Sequence, residues 1–154
     1  MKKTRAISLI LAIITLLSVC GCSKANENRI EDIITLAKEV KISGKTVDTV
    51  EARMGAFEGK QGDYIEFFFS EKQTFNTIHI IEKTTSIRQF NIYADVDGDY
   101  KLLYTGKHVL NEEIAVEETT TTAIKIHILN TEIGNDDFAI TGINAYNIKE
   151  SKGE

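Results

Sequence analysis

From Tyr64 onward the chain is a succession of short apolar runs rich in Ile, Val, Phe, Tyr and Thr, at 64–69, 74–81, 87–96, 100–105, 109–116, 123–129 and 138–146. Runs of this length, separated by polar turn residues, predict an all-β sandwich or barrel. Alternation is clean in two of them. Ile124, Ile126 and Ile128 share one face with Lys125 and His127 opposite, and Ile78 and Ile80 alternate with Thr77 and His79. Asp97-Gly98 between two runs is a strong hairpin signal, because glycine tolerates the positive φ of a tight primed turn. No long helical pattern separates the runs, which argues against a βαβ arrangement.

Upstream the pattern is weaker. Ile30, Ile33, Ile34 and Ala37 have helical spacing, which predicts a helical turn leading into a strand at 39–42. Residues 43–63 contain four glycines and no strong period. They are expected to form a long loop region with one short strand at most.

The first residues read as an address. Lys2, Lys3 and Arg5 precede an apolar run from Ala6 to Val19, the order of a secretory signal and too short for a comfortable membrane span. Val19-Cys20-Gly21-Cys22-Ser23 resembles the bacterial lipobox, in which a small residue precedes a lipidated Cys. Gly21 fits that position ahead of Cys22, whereas branched Val19 makes Cys20 the poorer candidate. Residues 1–21 are therefore expected to be a lipoprotein signal peptide. Residues 22–37 would be the lipidated Cys and a polar tether with a short helix, and residues 38–150 the sandwich. Two acyl chains on Cys22 would give durable anchoring, each buried methylene adding roughly 0.8 kcal/mol. The expected location is the extracytoplasmic face of a bacterial cell membrane.

Composition narrows the partners. With 154 residues there is room for one ordinary domain, and both cysteines, Cys20 and Cys22, lie within the address. A disulfide-stapled or thiolate-zinc core is excluded. Losing the three cations of residues 1–21 takes the formal charge from −5 to −8. An acidic domain of this kind has no basic footprint for nucleic acid.

Three segments bear a family likeness. Tyr64-Ile65-Glu66-Phe67-Phe68-Phe69 with Phe75-Asn76-Thr77-Ile78-His79-Ile80-Ile81-Glu82 is one. Ile87-Arg88-Gln89-Phe90-Asn91-Ile92-Tyr93 with Asp97-Gly98-Asp99-Tyr100-Lys101-Leu102-Leu103 is the second. Ala123-Ile124-Lys125-Ile126-His127-Ile128 with the closing run 140–146 is the third. Together they resemble the discoidin, or coagulation factor five/eight C-terminal type, domain, most of all the C-terminal module of bacterial α-fucosidases and related sugar-binding modules. The resemblance implies a galactose-binding-like jelly-roll β-sandwich of about eight strands. Tyr100 stands where the family usually has Trp. Residues 48–62 lack the family's acidic, Thr- and Trp-containing calcium segment, and Gly142 replaces a Glu of the closing strand. A calcium ion wants six to eight oxygens. No metal or other cofactor is therefore expected.

No catalytic constellation emerges. Asp95, Asp97 and Asp99 place Gly98 at the wrong position for an EF-hand and fit a hairpin turn, and Asn135-Asp136-Asp137 fits a solvated turn. His79, His108 and His127 have no ligand spacing, and Glu112-Glu113 and Glu117-Glu118 point to opposite faces within a strand. No Ser lies in a nucleophile elbow. Sugar-binding members of the family use loops at one end, where an aromatic face packs on the C–H side of a sugar and polar groups read its hydroxyls. On that basis Arg53, Phe57, Glu82, Arg88 and Asn135 are the candidate ligand-binding residues. Phe57 and Met54 fit equally as core plugs beneath a long loop, and Arg88 as one half of an ordinary ion pair. The expected function is a non-catalytic binding module for carbohydrate or another envelope component. The alternative is a protein-interaction or scaffold subunit of an envelope complex.

Overall fold

The computed structural model describes residues 31–109 and 111–149. Cys22, the signal peptide and the tether at 23–29 lie outside the described residues. A 3-10 turn at Ile33–Leu36 leads into β1 (Ala37–Ile42), as the sequence predicts, followed by β2 (Lys45–Val47), the one-turn helix α1 (Val50–Arg53) and β3 (Phe57–Lys60). The remaining strands are β4 (Tyr64–Glu82), β5 (Ile87–Val96), β6 (Asp99–Gly106), β7 (Glu113–Thr131) and β8 (Asp137–Tyr146). Residues 43–63 thus correct the expected long loop. Ser43 and Gly44, at φ 46° and 79°, close a two-residue hairpin, and two strands and a helix follow.

All pairings are antiparallel, and the two 19-residue strands β4 and β7 explain how one ladder becomes two layers. The first half of β4 pairs with β1 and with the second half of β7, and that half of β7 pairs with β5. The larger layer runs β2-β1-β4-β7-β5-β6. The second half of β4 pairs with β8 and with the first half of β7, and β8 pairs with β3, giving the smaller layer. Between the halves, the β4–β7 register breaks from Phe68 to Gln73, where Ser70, Glu71 and Lys72 are exposed. Two runs read from the sequence as separate strands are therefore one bent strand.

The inward faces fill the space between the layers. Phe67, Phe75, Phe90, Ile65, Ile78, Ile92, Ile124, Ile126 and Ile128 are all fully buried. Branched side chains of this kind lose little freedom on a strand and pack well on the pleat. Beyond β3, the open edge of β8 is capped, because Ile143 N donates to Met54 O and Ala145 N to the Asp32 carboxylate. Asp32 also accepts from Ile34 N, so one side chain caps the 3-10 turn and fixes the domain's first described segment.

Candidate functional site

Strand directions put five connections at one end of the sandwich: the β1–β2 turn, the β3–β4 turn, and the loops at 83–86, 107–112 and 132–136. They are bonded to one another. Glu132 N donates to Ser86 O (2.8 Å), Lys83 N to Ala139 O (2.9 Å), Gln61 N to Asp136 O (2.9 Å) and Gly62 N to Ile128 O (2.8 Å). The Asp63 carboxylate accepts from the Ser43 hydroxyl (2.5 Å) and from Lys60 N (2.8 Å), and these bonds hold it below its ordinary pKa.

Two hollows flank this rim. The larger, about 560 Å³, lies between the β3–β8 edge and the 83–86 loop, with Glu58, Lys60, Lys83, Asn135, Asp137 and Phe138 among its walls. Its volume falls in the range that small ligands occupy, roughly 300–1,000 Å³. Lys60 and Asp137, opposite each other on β3 and β8, pair at 3.4 Å on its β3–β8 side, and Asn135 Oδ1 accepts from Asp137 N at 3.2 Å. Gly59 leaves room for the Phe138 ring, which a Cβ would approach to 2.8 Å. The smaller hollow, about 170 Å³, is walled by Tyr104 and His108 over Ile80 and Val109. Beside it the Arg88 guanidinium donates to Glu132 (3.0 Å) and lies 3.5 Å from His108 Nδ1.

The structure sorts the candidate residues. Arg88 and Asn135 stand at the rim with polar atoms available to a ligand. Phe57 is 6% exposed and edge-on to Phe138 at 5.3 Å, so it belongs to the core and offers no aromatic platform. Glu82 is 7% exposed; its Oε1 accepts three hydrogen bonds from Ser86 and Ile87, and its Oε2 is buried without a partner among the described residues. Arg53 sits on α1, which crosses from one layer's edge to the other's, and is paired with Asp48 at 2.6 Å rather than placed at either hollow. Met54 is exposed, not a plug.

The loop at 107–112, with His108 and the neighbouring Tyr104, went unseen in the sequence. The Val109-Leu110 pair makes residues 109–116 look like a continuing strand. In the structure Val109 is instead a buried plug, and Asn111 takes φ 53° ahead of β7. That Asn, next to two adjacent acids, was the available turn signal.

No protein-family model matches the sequence, and a search of curated proteins finds no match. Solved structures do match. The family 32 carbohydrate-binding module of Streptococcus pneumoniae EndoD aligns with a TM-score of 0.63 at 12% identity, covering 77% of this chain and 100% of that one. A pectin-binding carbohydrate-binding module aligns with a TM-score of 0.57 at 20% identity, over 76% of this chain and 94% of that one. A putative α-L-fucosidase from Bacteroides thetaiotaomicron aligns with a TM-score of 0.63 at 16% identity, over 78% of this chain. The chain spans only 29% of that enzyme's length. The likeness establishes the fold: an all-β jelly-roll sandwich, the fold of those carbohydrate-binding modules.

Proposed function

We propose that this chain is a non-catalytic glycan-binding module, held at the outer face of a bacterial membrane by acyl chains on Cys22. The observation that carries the reading is the loop end. A cleft of about 560 Å³ there is lined by Lys83, Asn135 and the Lys60–Asp137 pair, with the Arg88–Glu132 pair at the neighbouring start of β5 and the loop after β7. Amide, carboxylate, guanidinium and ammonium groups gathered in one cleft are suited to hydrogen-bonding sugar hydroxyls. Modules of the same fold include one that binds pectin, and this supports a polysaccharide as the ligand class. Among the described residues no three His, Cys, Asp or Glu gather to hold a metal.

The anchor is consistent with display. Ala37 pairs with Phe69, and Ile148 N bonds to Asn76, so both ends of the described chain leave from the end opposite the loops. A lipidated Cys22 lies nine residues before Glu31 and can reach about 30 Å. The loop end would then face away from the membrane.

The test is affinity electrophoresis of the detergent-extracted mature chain in gels containing polygalacturonate, galactan or chitosan. Retardation by at least one polymer is expected, with Lys83→Ala and Asn135→Ala each weakening it about tenfold. No retardation by any polymer would overturn the reading. Labelled palmitate should enter the wild-type chain and not Cys22→Ser.

A second reading, a protein-interaction subunit, is favoured by β6. Tyr100, Leu102 and Tyr104 are 40%, 53% and 37% exposed along that edge strand, away from the cleft. Co-purification of a defined envelope protein that Leu102→Lys abolishes would support it.

A further inference from the structure

We infer that Glu82 is a positioning residue that binds the three long loops of this end into one rigid rim, an inference that rests on reading the rim as the ligand site. Glu82 ends β4 with its side chain on the inward face, in line with Ile78 and Ile80, where alternation calls for an apolar residue. It is 93% removed from solvent and forms no ion pair among the described residues. A carboxylate buried this way is costly, and a well-packed apolar residue would commonly serve stability better. What the carboxylate does is specific. Its Oε1 accepts from Ser86 N (2.7 Å), Ser86 Oγ (2.8 Å) and Ile87 N (2.8 Å), the three donors that shape the 83–86 loop.

The ties continue outward in both directions. Glu82 N donates to Asn111 Oδ1 (2.9 Å), which fixes the 107–112 loop that carries His108. Asn111 is held from its other side, its carbonyl lying 3.1 Å from His79 Nε2. Ser86 O, presented by the same loop, accepts from Glu132 N (2.8 Å) and so sets the start of the 132–136 loop. Arg88, one residue beyond Ile87, and Glu132 are thus within two bonded steps of the Glu82 carboxylate, while Lys83 follows it in the chain and the backbone N of the same residue holds the Asn111 side chain of the loop that carries His108. Charge-assisted bonds are short and directional, which suits a carboxylate chosen for geometry. A preorganised rim loses less freedom when it takes a ligand.

The experiment compares wild type, Glu82→Gln, Glu82→Met and Ser86→Ala in the detergent-extracted mature chain. Amide hydrogen exchange is read without ligand, and affinity is read with the polymer probes named above. Glu82→Met should speed exchange at Ser86, Ile87 and Glu132 by at least about tenfold while the amides of Phe90 and Ile126 stay protected. Glu82→Gln keeps an acceptor at Oε1 and should restore most of that protection. Ser86→Ala removes one donor, leaves the fold intact and should give a smaller, localised effect. Affinity should follow the same order as loop protection. Equal loosening of all amides, or unchanged loop exchange in Glu82→Met and Ser86→Ala, would overturn the inference. Localised loosening in a chain that binds none of the polymers would retain Glu82 as the organiser of the rim and remove the glycan reading instead.

Discussion

The two ends of this sandwich are built by different means. At the far end the chain turns within its own strands. Asp97 and Gly98 close β5 to β6 with φ of 57° and 97°, and β4 and β7 simply bend from one layer into the other. The bend of β7 is fixed locally by Thr121, whose hydroxyl lies 2.7 Å from both Asp95 O and Ala123 O and accepts from Ala123 N at 3.1 Å. At the loop end strands stop, and side chains such as Glu82, Asp63 and Asn111 hold separate segments together. At an end formed by continuing strands the ladder takes the backbone groups, and exposed side chains such as Ser70, Glu71 and Lys72 ride on strands rather than on loops. An end formed by loops releases Lys83, Arg88, His108 and Asn135 for other work, at the cost of a few buried polar groups.

Two glycines give the largest test of that contrast. Gly106, where β6 reaches the loop end, has an ordinary φ, but an added Cβ would overlap the Phe90 ring. Phe90 is fully buried and cannot move aside, so Gly106→Ala should cost about 3 kcal/mol by overpacking. Gly98 has φ 97° with open space around it, so Gly98→Ala should cost about 1 kcal/mol from backbone strain alone. Urea denaturation of the two variants checks the order. A Gly98→Ala cost that equals or exceeds the Gly106→Ala cost would break the distinction.

Thr121 gives the next effect. It is 1% exposed, and Thr121→Val keeps its shape while leaving Ala123 N and Asp95 O without their partner. A loss of about 2 kcal/mol is expected, with glycan binding unchanged because the proposed site lies at the other end. A weakening of affinity comparable to that from Lys83→Ala would mean that the ends are not independent.

The same contrast explains what could be read in advance. The strand β5 and the hairpin after it are written in local signals, an apolar run and an Asp-Gly pair, and the structure has them at the predicted places. The joining of 64–69 to 74–82 was hidden because Ser70, Glu71 and Lys72 look like a turn, although the backbone stays extended through the bend. The rim was harder still. Phe57 reads in the sequence as a candidate platform or a core plug, and its partner Phe138, 81 positions later, cannot be inferred from local pattern. Glu82 reads in the sequence as a candidate ligand contact, and the structure turns its Oε1 inward to Ser86 and Ile87. Two of the three donors to its Oε1 are backbone N–H groups, which every sequence has, and the third is the Ser86 hydroxyl.

Asp63 provides the smallest and most diagnostic effect. Its carboxylate ties the β3–β4 turn to Ser43 and Lys60, and these bonds favour the charged form and lower its pKa from the ordinary 3.8. Because the unfolded chain takes up the proton first as pH falls, the stabilisation is fully present above about pH 4 and is lost as the folded group titrates below that. The site is partly solvated, so Asp63→Asn should lower stability at pH 7 by only about 0.5 kcal/mol. Thermal midpoints of wild type and variant should differ at pH 7 and converge towards pH 3. Thr121→Val, which removes no titratable group, should keep the same difference from wild type at both pH values. If the Asp63→Asn gap persists into acid, the turn is held by its backbone bonds to Ile128, and the loop end would then rely on the same kind of tie as the far end.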